Sequence, residues 1–240
     1  MELKSDSLKV SQPPFFAFVT ILYEPTTTFK RINSHPTGWF PLLTVIISSC
    51  ALLLWYYSVV DLPWLVDQML DTVGSTDERE KSAEFLTREM MVVSSLGSAL
   101  IGYPAILCLL AVYLVTASKA VSNGISFGKG FALVAWANIP NFLLSLLGVM
   151  QLLLASSGKI GLSELNPVSL NQLFFQFDME HPLAVLTDSI SLITFWSIFL
   201  LIIGFEVWAE VKRSTAISIV LTPYIIVYGL WFGYSMSKVL

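Results

Sequence analysis

Five stretches of this chain contain no Asp, Glu, Lys or Arg: residues 32–60, 90–118, 130–158, 189–205 and 214–237. A helix needs roughly 20 mostly apolar residues to cross the hydrocarbon layer, with about 17 as the lower limit, and each stretch meets that length. Lipid offers the backbone no hydrogen-bond partner, so a crossing segment must be a helix or part of a closed barrel. No alternation of apolar and polar residues marks barrel strands here. The charge spacing therefore predicts an all-α fold, a polytopic membrane helix bundle. Its five transmembrane helices are expected at about residues 39–60, 91–117, 131–156, 189–208 and 215–236.

Composition narrows the reading further. Of 240 residues, 55% are hydrophobic and 12% charged, where a soluble domain carries about 25% charged residues. Most of the surface must then face something other than water, and the lipid bilayer is the expected partner. The net charge of −4 and the lack of a basic stripe leave nothing to neutralise phosphates, so nucleic acid is excluded as a partner. Cys50 and Cys108 lie inside apolar runs and read as small buried hydrophobes, not as a disulfide or a metal pair. Residues 165–177 are too few to cross and include Asn166, Pro167, Asn171, Gln172 and Gln176, so a loop or an interfacial helix is expected there.

The spans occupy a domain over residues 39–237, preceded by an arm over residues 1–38. Lys4 and Lys9 resemble a basic leader, yet the apolar stretch from Phe15 to Leu22 ends at Glu24-Pro25 with no small-residue cleavage site. Phe15, Phe18, Val19 and Leu22 recur at helical spacing, with Lys30 and Arg31 beyond, which predicts an N-terminal amphipathic interfacial helix. In the loop after the first span, Ser75 or Thr76 is placed to cap a helix with Asp77, Glu78 and Glu80 in its first turn. Glu84 and Arg88 sit at i,i+4, which predicts an ion pair on a second helix that starts outside the membrane.

Five crossings put the arm on the same side as the second and fourth loops. That side holds Lys4, Lys9, Lys30, Arg31, Lys119, Lys129, Lys212 and Arg213, eight basic residues against five on the other, namely Arg79, Lys81, Arg88, Lys159 and Lys238. Basic residues near span ends stay in the cytosol, so a cytosolic N-terminus and an external C-terminus are expected. Trp39, Trp55, Tyr56, Tyr57, Trp64 and Trp208 fall near span edges, as interfacial aromatics do.

Catalytic signatures are scarce, and no enzyme activity, cofactor or metal is expected. His35 and His181 lie on opposite sides of the membrane, and Gly128-Lys129-Gly130 lacks the rest of a phosphate-binding loop. Three polar or small-residue patterns remain. In the third span Asn138, Asn141, Ser145 and Gly148 share one face, with Pro140 among them freeing the carbonyl of Trp136. Glu206 is the most deeply embedded ionisable group, and ionisable groups inside a membrane point to function. Asn138, Asn141 and Glu206 together form a candidate polar intramembrane site, read either as a small-solute or ion site or as interhelical bonding that holds the bundle. The second span repeats Ser94, Ser98 and Gly102, and the fifth Gly229, Gly233 and Ser237. Both are spacings that let helix backbones approach closely, either inside the bundle or at a homo-oligomer seam.

Leu22-Tyr23-Glu24-Pro25, then Phe29 and Pro41-Leu42-Leu43, resemble the opening of the Ypt-interacting protein (Yip) family, especially its bacterial members. The likeness continues at Phe127-Gly128-Lys129-Gly130-Phe131, at Ala137-Asn138-Ile139-Pro140, from Trp196 through Gly204, and at Ser214-Thr215-Ala216. The resemblance implies five spans with a cytosolic N-terminus, a bacterial inner-membrane location, and a non-enzymatic scaffold or organiser with an unidentified membrane-protein partner. Eukaryotic members are linked to Rab-type GTPases through an Asp-Leu-Tyr-Gly-Pro motif. Ile21 and Glu24 stand where its Asp and Gly would be, so GTPase binding is not expected. The alternative is a small-solute or ion permeation protein using the polar face of the third span.

Overall fold

The computed structural model describes residues 14–71, 76–122, 124–155 and 157–238. Lys4, Lys9 and Ser75 lie outside them. All regular structure among the described residues is helical, and five helices are long and apolar enough to cross a membrane: Trp39–Val59, Arg88–Val121, Phe127–Leu154, Leu192–Ala209 and Arg213–Met236.

Two short helices precede the bundle, α1 (Pro14–Thr20) and α2 (Pro25–Ile32). Pro25 opens α2 at a position where its missing N–H costs nothing. The buried Thr28 hydroxyl donates to Thr20 Oγ1 at 2.9 Å and ties the pair together. On α1, Phe15 is 70% exposed, while Phe18 packs edge-on against Phe142 with ring centroids 5.3 Å apart. The amphipathic helix thus rests one face on the bundle and turns the other outward.

The first span, α3 (Trp39–Val59), is followed by α4 (Leu62–Leu70), which Asp61 caps by accepting from the Trp64 N–H at 3.2 Å. Next come α5 (Thr76–Phe85) and α6 (Arg88–Gly97). The expected Glu84–Arg88 pair does not form. The helix breaks at Leu86, and the Thr87 hydroxyl caps α6 by accepting from the Met90 N–H at 3.3 Å. Arg88 instead donates to the carbonyl of Val60 at 3.3 Å. A side-chain cap at Thr87 ends the helical register that the i,i+4 pair requires.

A π-helical turn, Ser98–Gly102, links α6 to α7 (Tyr103–Val121). It ends two residues before Pro104, which has no N–H to offer the carbonyl one turn back. The third span is likewise double, α8 (Phe127–Ala137) and α9 (Asn141–Leu154), broken at residues 138–140. A loop with short turns at Leu162–Leu165 and Asn171–Phe175 then leads to α10 (Ala184–Ser189). The non-crossing stretch 165–177 therefore combines loop with one short π-helical turn at Asn171–Phe175. The fourth span, α11 (Leu192–Ala209), starts at a Ser191 cap and stops where Glu210 turns left-handed at φ 55°. The fifth is α12 (Arg213–Met236).

Burial ranks the spans. Half of the most apolar window is buried in each of the third and fourth, against 28% in the first, 22% in the second and 11% in the fifth. The third and fourth spans are consequently the interior, and the fifth is peripheral. Ala132, Leu133, Val134, Trp136 and Ala137 of α8 are at most 1% exposed, enclosed by α3, α7 and α11.

Candidate functional site

The third-span break is closed by its own amides. Pro140 withdraws a donor from Trp136, and the Ile139 N–H takes that carbonyl at 3.2 Å. The Asn138 side chain donates to the carbonyl of Val134 at 2.9 Å. Asn141 donates to both the carbonyl and Oδ1 of Asn138, at 3.0 and 3.1 Å. One face then continues along α9 toward α3. Ser145 donates to the hydroxyl of Ser48 at 3.1 Å, and Gly148 lies so close to Leu52 that an added Cβ would stand 2.6 Å from its Cδ2.

Glu206 takes another partner. Its carboxylate accepts from Arg213 Nε at 2.6 Å, across the turn between α11 and α12. Among the described residues no hydrogen bond joins it to Asn138 or Asn141, so the expected polar site is divided into an amide pair and a surface ion pair. The Arg213 side chain is 55% exposed and that of Glu206 29%, a setting in which such pairs contribute only about 0.2–1 kcal/mol.

Asn141 and Ser145 also line a cleft of about 530 Å³ between α3, the π-helical turn and α9, where Ser49, Ser95 and Ser98 supply hydroxyls. On the side of the C-terminus the cleft adjoins a wider vestibule of about 1220 Å³ formed by α4, α6, residues 161–180 and α10. Asp188 borders the vestibule. Burial pushes its carboxyl above the ordinary value, while the side chains of Asn171 and Ser169 draw it back.

Residues 22–25 form the corner between α1 and α2. Tyr23 and Glu24 are exposed, and Pro25 begins α2. The fixing is done by neighbours that sequence reasoning left without a structural role. Ile21 and Phe29 are fully buried. The indole of Trp208 donates to the carbonyl of Phe29 at 2.8 Å, and that of Trp136 to the carbonyl of Thr37 at 2.8 Å. Trp208 is accordingly not an interfacial aromatic. Neither are Tyr56 and Tyr57, whose hydroxyls bond to the carbonyl of Ile160 at 3.0 Å and to Ser95 Oγ at 2.9 Å. Trp39, 68% exposed, keeps its edge position. Gly128-Lys129-Gly130 forms the first turn of α8, with the Lys129 ammonium 5.8 Å above the Trp208 ring.

The small residues of the fifth span point away from the protein. A side chain added at Gly229 or Gly233 would meet nothing within 4 Å, and Ser237 is exposed. Gly97 and Gly102 of the second span are equally free of neighbours. Both cysteines are free thiols.

An arm pinned by two indoles to a five-helix bundle, with no cluster of three metal-binding side chains among the described residues, defines a multi-pass membrane protein. The Yip1 domain matches residues 19–234, nearly the whole chain, and the protein belongs to that family. Comparisons with curated proteins and with solved structures found no match.

Proposed function

We propose that this Yip1-domain protein is a non-enzymatic organiser that works through helix contacts in the plane of the membrane. The observation carrying this reading is the fifth span, whose Gly229, Gly233 and Ser237 lie on an open face. Small residues allow two backbones to approach closely, which is how helices gain contact in lipid. The amides of Asn138 and Asn141 are bonded to local acceptors and Glu206 is held by Arg213, so the third-span polar groups support bundle structure more than permeation. Because nothing packs on Gly233 inside one protomer, Gly233→Leu is expected to dissociate a self-associated form while leaving the unfolding temperature unchanged. Size analysis in lipid nanodiscs checks this, and a wild-type protein that is monomeric there removes the self-association reading.

The same proposal places the N-terminus in the cytosol, supported by the eight-to-five division of basic residues, and the resemblance to bacterial family members suggests an inner membrane. A reporter fused after Leu240 is expected to be active outside the cytosol and one between Lys119 and Lys129 inside. Reporters active on one common side would refute the orientation. Saturable solute or ion flux in liposomes, abolished by Asn141→Leu, would favour the permeation reading instead.

A further inference from the structure

The cleft and the vestibule adjoin and differ in chemistry. Both are bordered by Ser95, Leu162 and Asn166, so they meet at those three side chains. On the inner side, Val45, Ile46, Leu52, Leu53, Leu144 and Leu165 make the walls of the cleft chiefly apolar. On the outer side, the vestibule wall carries Asp71, Glu164, Asp178, Glu180 and Asp188 and includes no Lys, Arg or His, with Arg79 lying 4.0 Å from Asp71. At the junction, Asn166 Oδ1 is buried with no hydrogen-bond partner. A buried acceptor left unmatched is uncommon and calls for a donor. The π-helical turn at Ser98–Gly102 contributes Ser98 and Ala99 to the cleft wall, and turns of this kind gather at functional sites.

Size and charge together restrict what fits. Ligand pockets run to about 300–1,000 Å³ and are mainly apolar with a few polar groups that fix orientation. A small hydrophilic solute would leave the cleft walls unmatched. A bare cation would find no group of three carboxylate, thiol or imidazole ligands among the described residues. An anionic headgroup would meet five carboxylates, with Arg79 beside Asp71. We propose that vestibule and cleft form a single binding site for an amphiphile, its cationic, donor-rich headgroup among the vestibule carboxylates and its hydrocarbon chain in the cleft toward Asn141. This goes beyond the organiser reading and does not depend on self-association.

The test uses the full chain in zwitterionic nanodiscs with two photoactivatable probes, a long-chain alkylamine and the alkyl sulfate of the same chain. The amine is expected to label α3 and α9 saturably, with an apparent affinity about tenfold tighter than the sulfate. Ser98→Phe, which places a ring in the cleft, is expected to weaken amine labelling about tenfold. Ile106→Phe, on an outward face at 63% exposure, should leave it unchanged. Asp178→Asn with Glu180→Gln, both exposed positions, should bring amine and sulfate together without moving the labelled peptides. The proposal is overturned by labelling that never saturates or spreads over α12. It is equally overturned if the two probes label alike in the wild-type protein, or if the two Phe variants behave alike while retaining the wild-type unfolding temperature.

Discussion

Phe29→Ala is expected to destabilise the protein by about 3–5 kcal/mol, the loss that removing a fully buried phenylalanine ring brings in a packed core. The ring has no exposed surface and meets the Trp208 indole edge-on, with centroids 5.7 Å apart and planes at 89°. It also lies over Gly204, where no side chain separates α2 from α11. The hydrogen bond from the Trp208 indole to the residue-29 carbonyl uses backbone and survives the substitution, so the change isolates packing. Two measurements follow it: the unfolding midpoint in detergent, and the rate at which a protease cuts between residues 20 and 38. Phe15→Ala, at a 70% exposed position on the same arm, should stay within about 0.5 kcal/mol of wild type. If both substitutions leave the midpoint and the cleavage rate alone, the arm is not part of the folded bundle.

The arm shows where sequence reading ends in this protein. Charge-free runs are governed by the bilayer, one solvent acting on each segment separately, so all five crossings were legible from spacing alone. The break at residues 138–140 was legible for the same reason, because Pro140 removes a particular N–H whatever surrounds it. The face shared by Asn141, Ser145 and Gly148 also emerged from periodicity, and it does meet the first span at Ser48 and Leu52. Partners across the bundle were another matter. Periodicity gives the side of a helix and not the neighbour or the depth, so Glu206 was set against the asparagines, while Arg213, seven residues along and past a left-handed turn at Glu210, was the group within reach. Trp208 carried an ambiguous signal. A tryptophan near a span end serves equally as a lipid-interface anchor or as a buried donor, and only the docked arm decides between them. Trp136 was the clearer clue, since an indole N–H deep in an apolar run needs an acceptor, and the arm supplies it at Thr37.

Gly204→Val is the sharper test of that docked arm. A Cβ at this position would stand 2.8 Å from two atoms of the Phe29 ring and closer still to the tip of Leu133. Surface side chains would swing aside, but Phe29 and Leu133 are both fully buried and have no free volume to enter. Forcing extra carbon into such a core costs about 1–3 kcal/mol, and a β-branched residue against a ring belongs at the upper end. The expected outcome is a loss of about 3 kcal/mol, with the arm released before the remaining bundle unfolds, since α2 can separate from α11 without breaking a spanning helix. A double substitution identifies the obstructing group. If the ring is the principal obstacle, Gly204→Val in a Phe29→Ala background should cost about 1–2 kcal/mol less than in the wild type, because neighbouring residues that share a contact do not add. Costs that add to within about 0.5 kcal/mol would show that Phe29 is not the obstruction. The clash would then lie with Leu133 and α8, and the arm would owe its position to the two indole hydrogen bonds.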